Sequence, residues 1–175
     1  MRILLLIMMA QASTADLGSP TPYAGQEQRE IKSLSASEIE QIRNGEGMGL
    51  ARAAELNHYP GPRHVLELAD ELGLSPVQLR QTRQIFNEMQ QRARTLGADL
   101  IAAETELDLA FSRQTIGEDA LTVQLEVIGH LQARLRYTHL QAHLQQKLVL
   151  EPEQIKKYDK LRGYGSGAEH HDAHH

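Results

Sequence analysis

Between Pro76 and about Ser112, apolar or small side chains return every third or fourth residue, at Leu79, Thr82, Phe86, Met89, Ala93, Leu96, Leu100, Ala103, Leu107 and Ala110. A run of that length at helical spacing predicts a long amphipathic helix laid along a partner in coiled-coil-like packing. Gly97 interrupts the run at a cost of ~1 kcal/mol relative to Ala, which predicts a local bend. After a break at Thr115-Ile116-Gly117, the segment from about Glu118 to Leu148 repeats the pattern with Leu121, Leu125, Ile128, Leu131, Leu135 and Ala142. Two long helices joined by so short a turn must run antiparallel, as a hairpin. The hairpin cannot bury every face of both helices. Ile101, Leu109, Leu140 and Leu144 lie off the main seam and need other cover, from short flanking helices or from a second copy of the chain.

The rest of the chain is punctuation around that hairpin. Ser35-Ala36-Ser37-Glu38 is a capping signal for a short helix at about Ser37 to Arg43. Gly45, Gly47 and Gly49 follow. No strand precedes them and no βαβ unit surrounds them, so they read as a turn into a second short helix at Leu50 to Asn57 and not as a phosphate loop. Tyr59-Pro60-Gly61-Pro62 is a rigid break, and Pro62 starts a helix to about Leu72 that Gly73 stops. A last helix runs from Pro152 to Leu161, ended by Gly163 and Gly165. Leu, Ala, Gln, Glu and Arg dominate, Trp is absent and Phe occurs twice, which favours an all-α fold.

The first twelve residues have the form of an export signal: Arg2, the apolar run Ile3 to Met9, then the small-x-small site Ala10-Gln11-Ala12. That run is too short to span a bilayer, and no later segment could cross a membrane. With no cysteine in the chain, neither disulfides nor thiolate metal sites are available. The formal net charge of −5 argues against general nucleic-acid binding. The chain thus divides into a signal peptide at 1–12, a flexible leader at 13–34, a helical domain at 35–163 and a His-rich tail at 164–175.

One pentapeptide pattern occurs twice, each time at a helix start: Leu74-Ser75-Pro76-Val77-Gln78 and Leu150-Glu151-Pro152-Glu153-Gln154. Pro is tolerated in a first turn because its missing N–H would have no partner there, and Ser75 is a good N-cap. Glu151 departs from the Ser/Thr position but suits the positive end of the helix dipole. The pair resembles the Leu-Thr-x-x-Gln signature of the Spy/CpxP-like periplasmic proteins, over roughly Gly45 to Tyr164. Gly47-Met48-Gly49-Leu50-Ala51, Ala53-Ala54-Glu55-Leu56-Asn57, Tyr59-Pro60-Gly61-Pro62 and His64 to Leu68 resemble a subgroup of the same family. The resemblance implies a periplasmic, all-helical protein, an antiparallel, bowed homodimer with a concave surface. It also implies an ATP-independent chaperone for non-native polypeptides or a heavy-metal sensor.

Three kinds of candidate residue follow. His139 and His143, spaced i, i+4, project from one helix face and could share a metal. Zn, Ni, Co and Cu all accept imidazole nitrogen, and without thiolates the other ligands would be carboxylates or water. In the metal-sensing branch of the family the ligands come from the first helix and a paired position on the third. The resemblance therefore points to His64 and Glu67 as partners of His139 and His143, although the branch's Met on the third helix is not matched. The tail, with His170, His171, His174 and His175 beside Glu169 and Asp172, binds divalent transition metals by composition alone. The client-binding candidates are Arg80, Arg83, Arg92, Arg94, Arg134 and Arg136, whose long side chains can cover apolar surface while keeping their charges wet, with Phe86 and Met89 between them.

No nucleophile elbow, no His-Glu-x-x-His and no cysteine is present, and no enzyme is expected; no cofactor is required. The function readings are a chaperone, a metal-binding or metal-sensing protein, and an adaptor that docks on an envelope sensor kinase.

Overall fold

The computed structural model describes residues 22–164. The predicted signal peptide, residues 13–21 of the predicted leader, and the tail from residue 165 with its four histidines lie outside the described residues. Among the described residues the fold is all-α: α1 (Ala36–Asn44), α2 (Arg52–Glu55), α3 (Pro62–Glu67), α4 (Ala69–Leu72), α5 (Pro76–Ser112), α6 (Glu118–Val149) and α7 (Pro152–Leu161). None of these helices is long and apolar enough to cross a membrane.

α5 and α6 form the predicted hairpin. Gln78 reaches Val149, Thr82 meets Gln146 and Arg92 meets Gln141, so positions rise along one helix as they fall along the other. At 37 and 32 residues they are about 55 and 48 Å long. Ala93, Leu96 and Leu100 interlock with Ile128, Leu131 and Leu135, and Leu50, Ala103 and Leu107 pack around them. The seam departs from the sequence pattern at Leu125, which is half exposed. Two successive steps of three, from 125 to 128 to 131, each turn the helix short of a full revolution and carry Leu125 off the contact line. Thr138 and Gln146 continue the seam instead, and the Gln146 amide donates to the buried Thr82 hydroxyl at 3.1 Å.

Gly97 marks a helix crossing. α5 runs unbroken through it, and a Cβ there would stand 2.6 Å from the Ile42 carbonyl oxygen. Its missing side chain lets α1 lie directly on α5, with Ile39 and Ile42 buried beneath. The end of the predicted leader is also packed. Ile31 is fully buried, Lys32 binds Asp108 through both its N–H and its ammonium, and the Ser33 hydroxyl donates to Glu104.

The short helices are more broken than their pattern predicts. Only Arg52–Glu55 of the stretch from Leu50 to Asn57 is α-helical, and the segment from Pro62 to Leu72 divides at Leu68 into α3 and α4. At this end of the hairpin Val65, Leu72, Leu150 and Tyr158 make a second small core, with Leu68, Leu74, Ile155 and Tyr164 against it.

The two pentapeptides meet there. Gln78 and Gln154 each accept, through Oε1, the backbone N–H of their own N-cap residue, Ser75 at 3.0 Å and Glu151 at 2.9 Å. Both complete capping boxes, and Glu151 fills the N-cap role despite its departure from Ser/Thr. Each Gln then spends its amide N–H groups across the junction: Gln78 on the Val149 carbonyl and Gln154, and Gln154 on the Leu72 carbonyl and Gln78.

Candidate functional site

The hairpin has two unlike long faces. α1, α2 and α3 cover one of them and enclose a cavity of about 810 Å³ between the Gly45–Arg52 loop, α3, and the helices α5 and α6. His139 and His143 look into it from α6, Phe86, Met89 and Arg94 from α5, and His64 from α3. His139 and His143 are buried, at 3% and 9% exposure. The His143 ring lies 2.7 Å from the Tyr59 carbonyl through Nδ1. A carbonyl can only accept, so Nδ1 is the donor in this bond. His139 Nε2 has no hydrogen-bond partner. Burial first, and the neighbouring His143 second, push His139 down to about 4, so it is neutral at neutral pH.

The predicted metal set is not drawn together as one cluster. His64 Nδ1 is held 2.8 Å from Glu67 Oε2 within α3, an interaction that lowers the Glu67 carboxyl below its ordinary range. His143 instead faces Glu55 Oε2 at 3.6 Å. Among the described residues no group of three or more His, Asp or Glu side chains is arranged to hold a metal ion. His64, His139 and His143 share the cavity wall, while Glu67 is turned to Arg63 and His64.

Glu55 is the residue that sequence reasoning missed here. Its Oε1 accepts the Tyr158 hydroxyl at 2.5 Å and the Tyr164 hydroxyl at 3.0 Å, and Arg162 lies beside it. Burial, with Glu55 next to it, raises the Tyr158 phenol far above its usual value. Glu55 thus ties α2 to α7 and to His143 of α6. Nothing in the spacing of a four-residue helix announces it.

The client-binding candidates separate. Phe86, Met89 and Arg94 line the cavity, and Arg94 donates to the Asn44 carbonyl. Arg92 lies on the opposite face, bonded to Gln141 of α6. Arg134 is on that face as well, one turn from His130. Arg80, Arg83 and Arg136 are exposed. The eight residues therefore form no single surface.

The opposite face is open. Along α6 it presents Val123, Val127, His130, Arg134, Tyr137, Gln141, Leu144 and Leu148, at steps that alternate four and three throughout. Val123, Val127, Tyr137 and Leu144 are each about half exposed, and Leu148 is 88% exposed. Beside the first of these runs a groove of about 600 Å³, bordered by Asp99, Ala102 and Glu106 of α5 and by Glu126 and His130 of α6. The open face is thus an apolar stripe edged by both signs of charge. Its signal was present in the sequence, since Leu144 falls off the main seam and belongs to a second repeat at the same spacing.

Compared with known proteins, the chain matches no family model, no curated protein and no solved structure.

Proposed function

We propose that this chain is a polypeptide-binding protein of the Spy/CpxP type, exported to the periplasm, that holds non-native clients without nucleotide and acts as a homodimer. The observation that carries the reading is the exposed stripe Val123, Val127, Tyr137, Leu144 and Leu148 on the open face. Exposed large apolar side chains gathered on one helix face suit an interaction site. Its chemistry suits transient binding. Apolar side chains supply contact with any unfolded segment, and Arg92 and Arg134 can lay their methylenes along a client while their charges stay in water. Asp99, Glu106 and Glu126 at the edge keep the face soluble when empty. The twin Leu-x-Pro-x-Gln motifs, joined at the base of the hairpin, support the family reading, and their role is to hold the hairpin's end rather than to touch a client.

The test is suppression of aggregation of an unrelated client at near-stoichiometric chain, without ATP. The chain should delay aggregation, and Val127→Asp/Leu144→Asp should remove most of that delay while helicity is kept. Full protection by that variant would overturn the reading. An adaptor for an envelope sensor kinase would instead leave the client unprotected and co-purify with one membrane protein.

A second reading, a metal-binding protein, draws on His139 and His143 in the cavity wall and on the tail histidines. The carbonyl bond at His143 Nδ1 is the kind of support that orients an imidazole for ligation through Nε2. Calorimetry with Zn, Ni, Co or Cu, with and without residues 166–175, tests it. Binding that survives loss of the tail and vanishes in His139→Ala/His143→Ala favours this reading, whereas binding lost with the tail removes the folded domain from it.

A further inference from the structure

The cavity beneath α1, α2 and α3 holds a buried side chain with nothing to bond. His139 is 3% exposed, and its Nε2 has no hydrogen-bond partner. Buried polar groups almost always find a partner, so this exception calls for a reason. Its Nδ1 faces Gly47, where an added Cβ would stand 3.9 Å from that nitrogen with nothing nearer. The other wall glycines serve close packing: a Cβ at Gly61 would lie 2.9 Å from His143 Cε1, and one at Gly45 3.0 Å from the Gln90 carbonyl oxygen. At Gly47 the missing side chain keeps open space in front of an imidazole instead.

The rest of the wall says what that space suits. At about 810 Å³ it has the size of a small-molecule site, and Phe86, Met89 and Leu56 give it an apolar side. The Arg52 guanidinium lies along Gly49, its Nη2 3.3 Å from where a Cβ would be. Arg94 is held beside the same loop by its bond to the Asn44 carbonyl. Arg63 is spent on Glu67, and Glu55 on Tyr158, Tyr164 and Arg162. Neither Arg52 nor Arg94 forms an ion pair among the described residues. They face one remaining wall carboxylate, Glu46, which leaves an excess of positive charge.

We propose that this cavity binds a small amphiphilic carboxylate. Its carboxylate sits against the loop at 47–49, between the His139 imidazole and the Arg52 guanidinium, and its apolar body lies along Phe86 and Met89. Gly47 and Gly49 are two residues apart, so the two donors border one stretch of backbone. A neutral imidazole has an N–H to give, and a guanidinium adds a charge-assisted bond. The half-apolar wall and the small charge excess suit a singly charged organic acid better than a phosphate. The site is separate from the open face, so it does not rest on the polypeptide-binding reading.

The probe is 2-naphthoate, titrated by fluorescence into the full-length chain with a chelator present. One molecule should bind per chain with a Kd below about 1 mM. The neutral analogue 2-naphthalenemethanol should bind about tenfold more weakly, the share of a charge-assisted bond. Arg52→Gln, a change at an exposed side chain, should weaken the acid by a similar factor and leave the alcohol as it was. Gly47→Leu carries its side chain into the cavity from a backbone outside the left-handed region, and should abolish binding of both. Its melting temperature shows whether it is folded, and Arg52→Gln tests the site independently. Val127→Asp/Leu144→Asp should bind the acid as the wild type does. No saturable binding at about 1 mM, or equal affinity for acid and alcohol, overturns the proposal. Binding kept in folded Gly47→Leu and lost in Val127→Asp/Leu144→Asp places the probe on the open face and overturns the cavity site. Binding that appears only with added zinc and no chelator assigns the cavity to a metal and overturns it as well.

Discussion

Gln78 and Gln154 lie 76 residues apart in the chain and join amide to amide at 2.7 Å. Each also caps the helix it starts, so one side chain fixes a helix N-terminus and docks it on the other. The pairing gives the repeated pentapeptide a physical reason. Pro sets the first turn, Leu74 and Leu150 go into the small core, and Gln closes the junction. Replacing either Gln by Ala should cost on the order of 1–3 kcal/mol, since part-buried partners lose their bonds. The double replacement should cost clearly less than the sum, by roughly 0.5–3 kcal/mol of coupling. Urea midpoints of the four chains measure it.

Gly97→Ala runs against helix propensity. An exposed helical site would gain ~1 kcal/mol from that change. Here the new methyl meets the Ile42 carbonyl and side chain, so α1 must shift. The variant should lose about 1–3 kcal/mol, the usual penalty for overpacking. Thermal unfolding followed by circular dichroism checks the sign.

Glu55→Ala should be among the most damaging single changes outside the hairpin seam. It leaves the Tyr158 hydroxyl without its acceptor in a fully buried site and removes one from Tyr164. The expected loss is on the order of 2–3 kcal/mol. In the same site Tyr158→Phe should cost less, because no buried group is added without a partner beyond the Gly61 N–H. Denaturant titration of both variants separates the two.

Acid should weaken the fold through His139. Burial and the neighbouring His143 hold it at about 4, against about 6.5 in an unfolded chain. Between those values the unfolded state binds the proton and the folded state refuses it. The stability contribution is therefore complete above about pH 6.5 and is lost as pH falls toward 4, by on the order of 2 kcal/mol at pH 5. His139→Gln should flatten that slope in a series of melting curves between pH 7 and pH 5.

The hairpin was legible because a three-four repeat over more than thirty residues admits one local structure; α5 and α7 begin where their caps place them, and α6 begins after the break at Thr115-Ile116-Gly117. The short helices were less legible. Gly97 reads as a flaw in a helix until Ile42 lies across it, and Leu125 reads as seam until the two steps of three are turned out in space. The burial of His139 and His143 is a tertiary fact, since only α2 and α3 closing over α6 converts an i, i+4 pair into cavity wall. The open face could have been read from the sequence as a second repeat, but its polar members, His130, Arg134 and Gln141, hid it.

The central claim is that the open face of the hairpin, and not the histidine cavity, meets non-native polypeptide. A photoreactive probe on a single cysteine tests this, placed at Tyr137→Cys on the open face or at Met48→Cys at the cavity mouth. Both native side chains are exposed, at 56% and 41%. With an unfolding client present, adducts should form from position 137 at several times the yield from position 48. Equal yields, or a preference for position 48, would contradict the account.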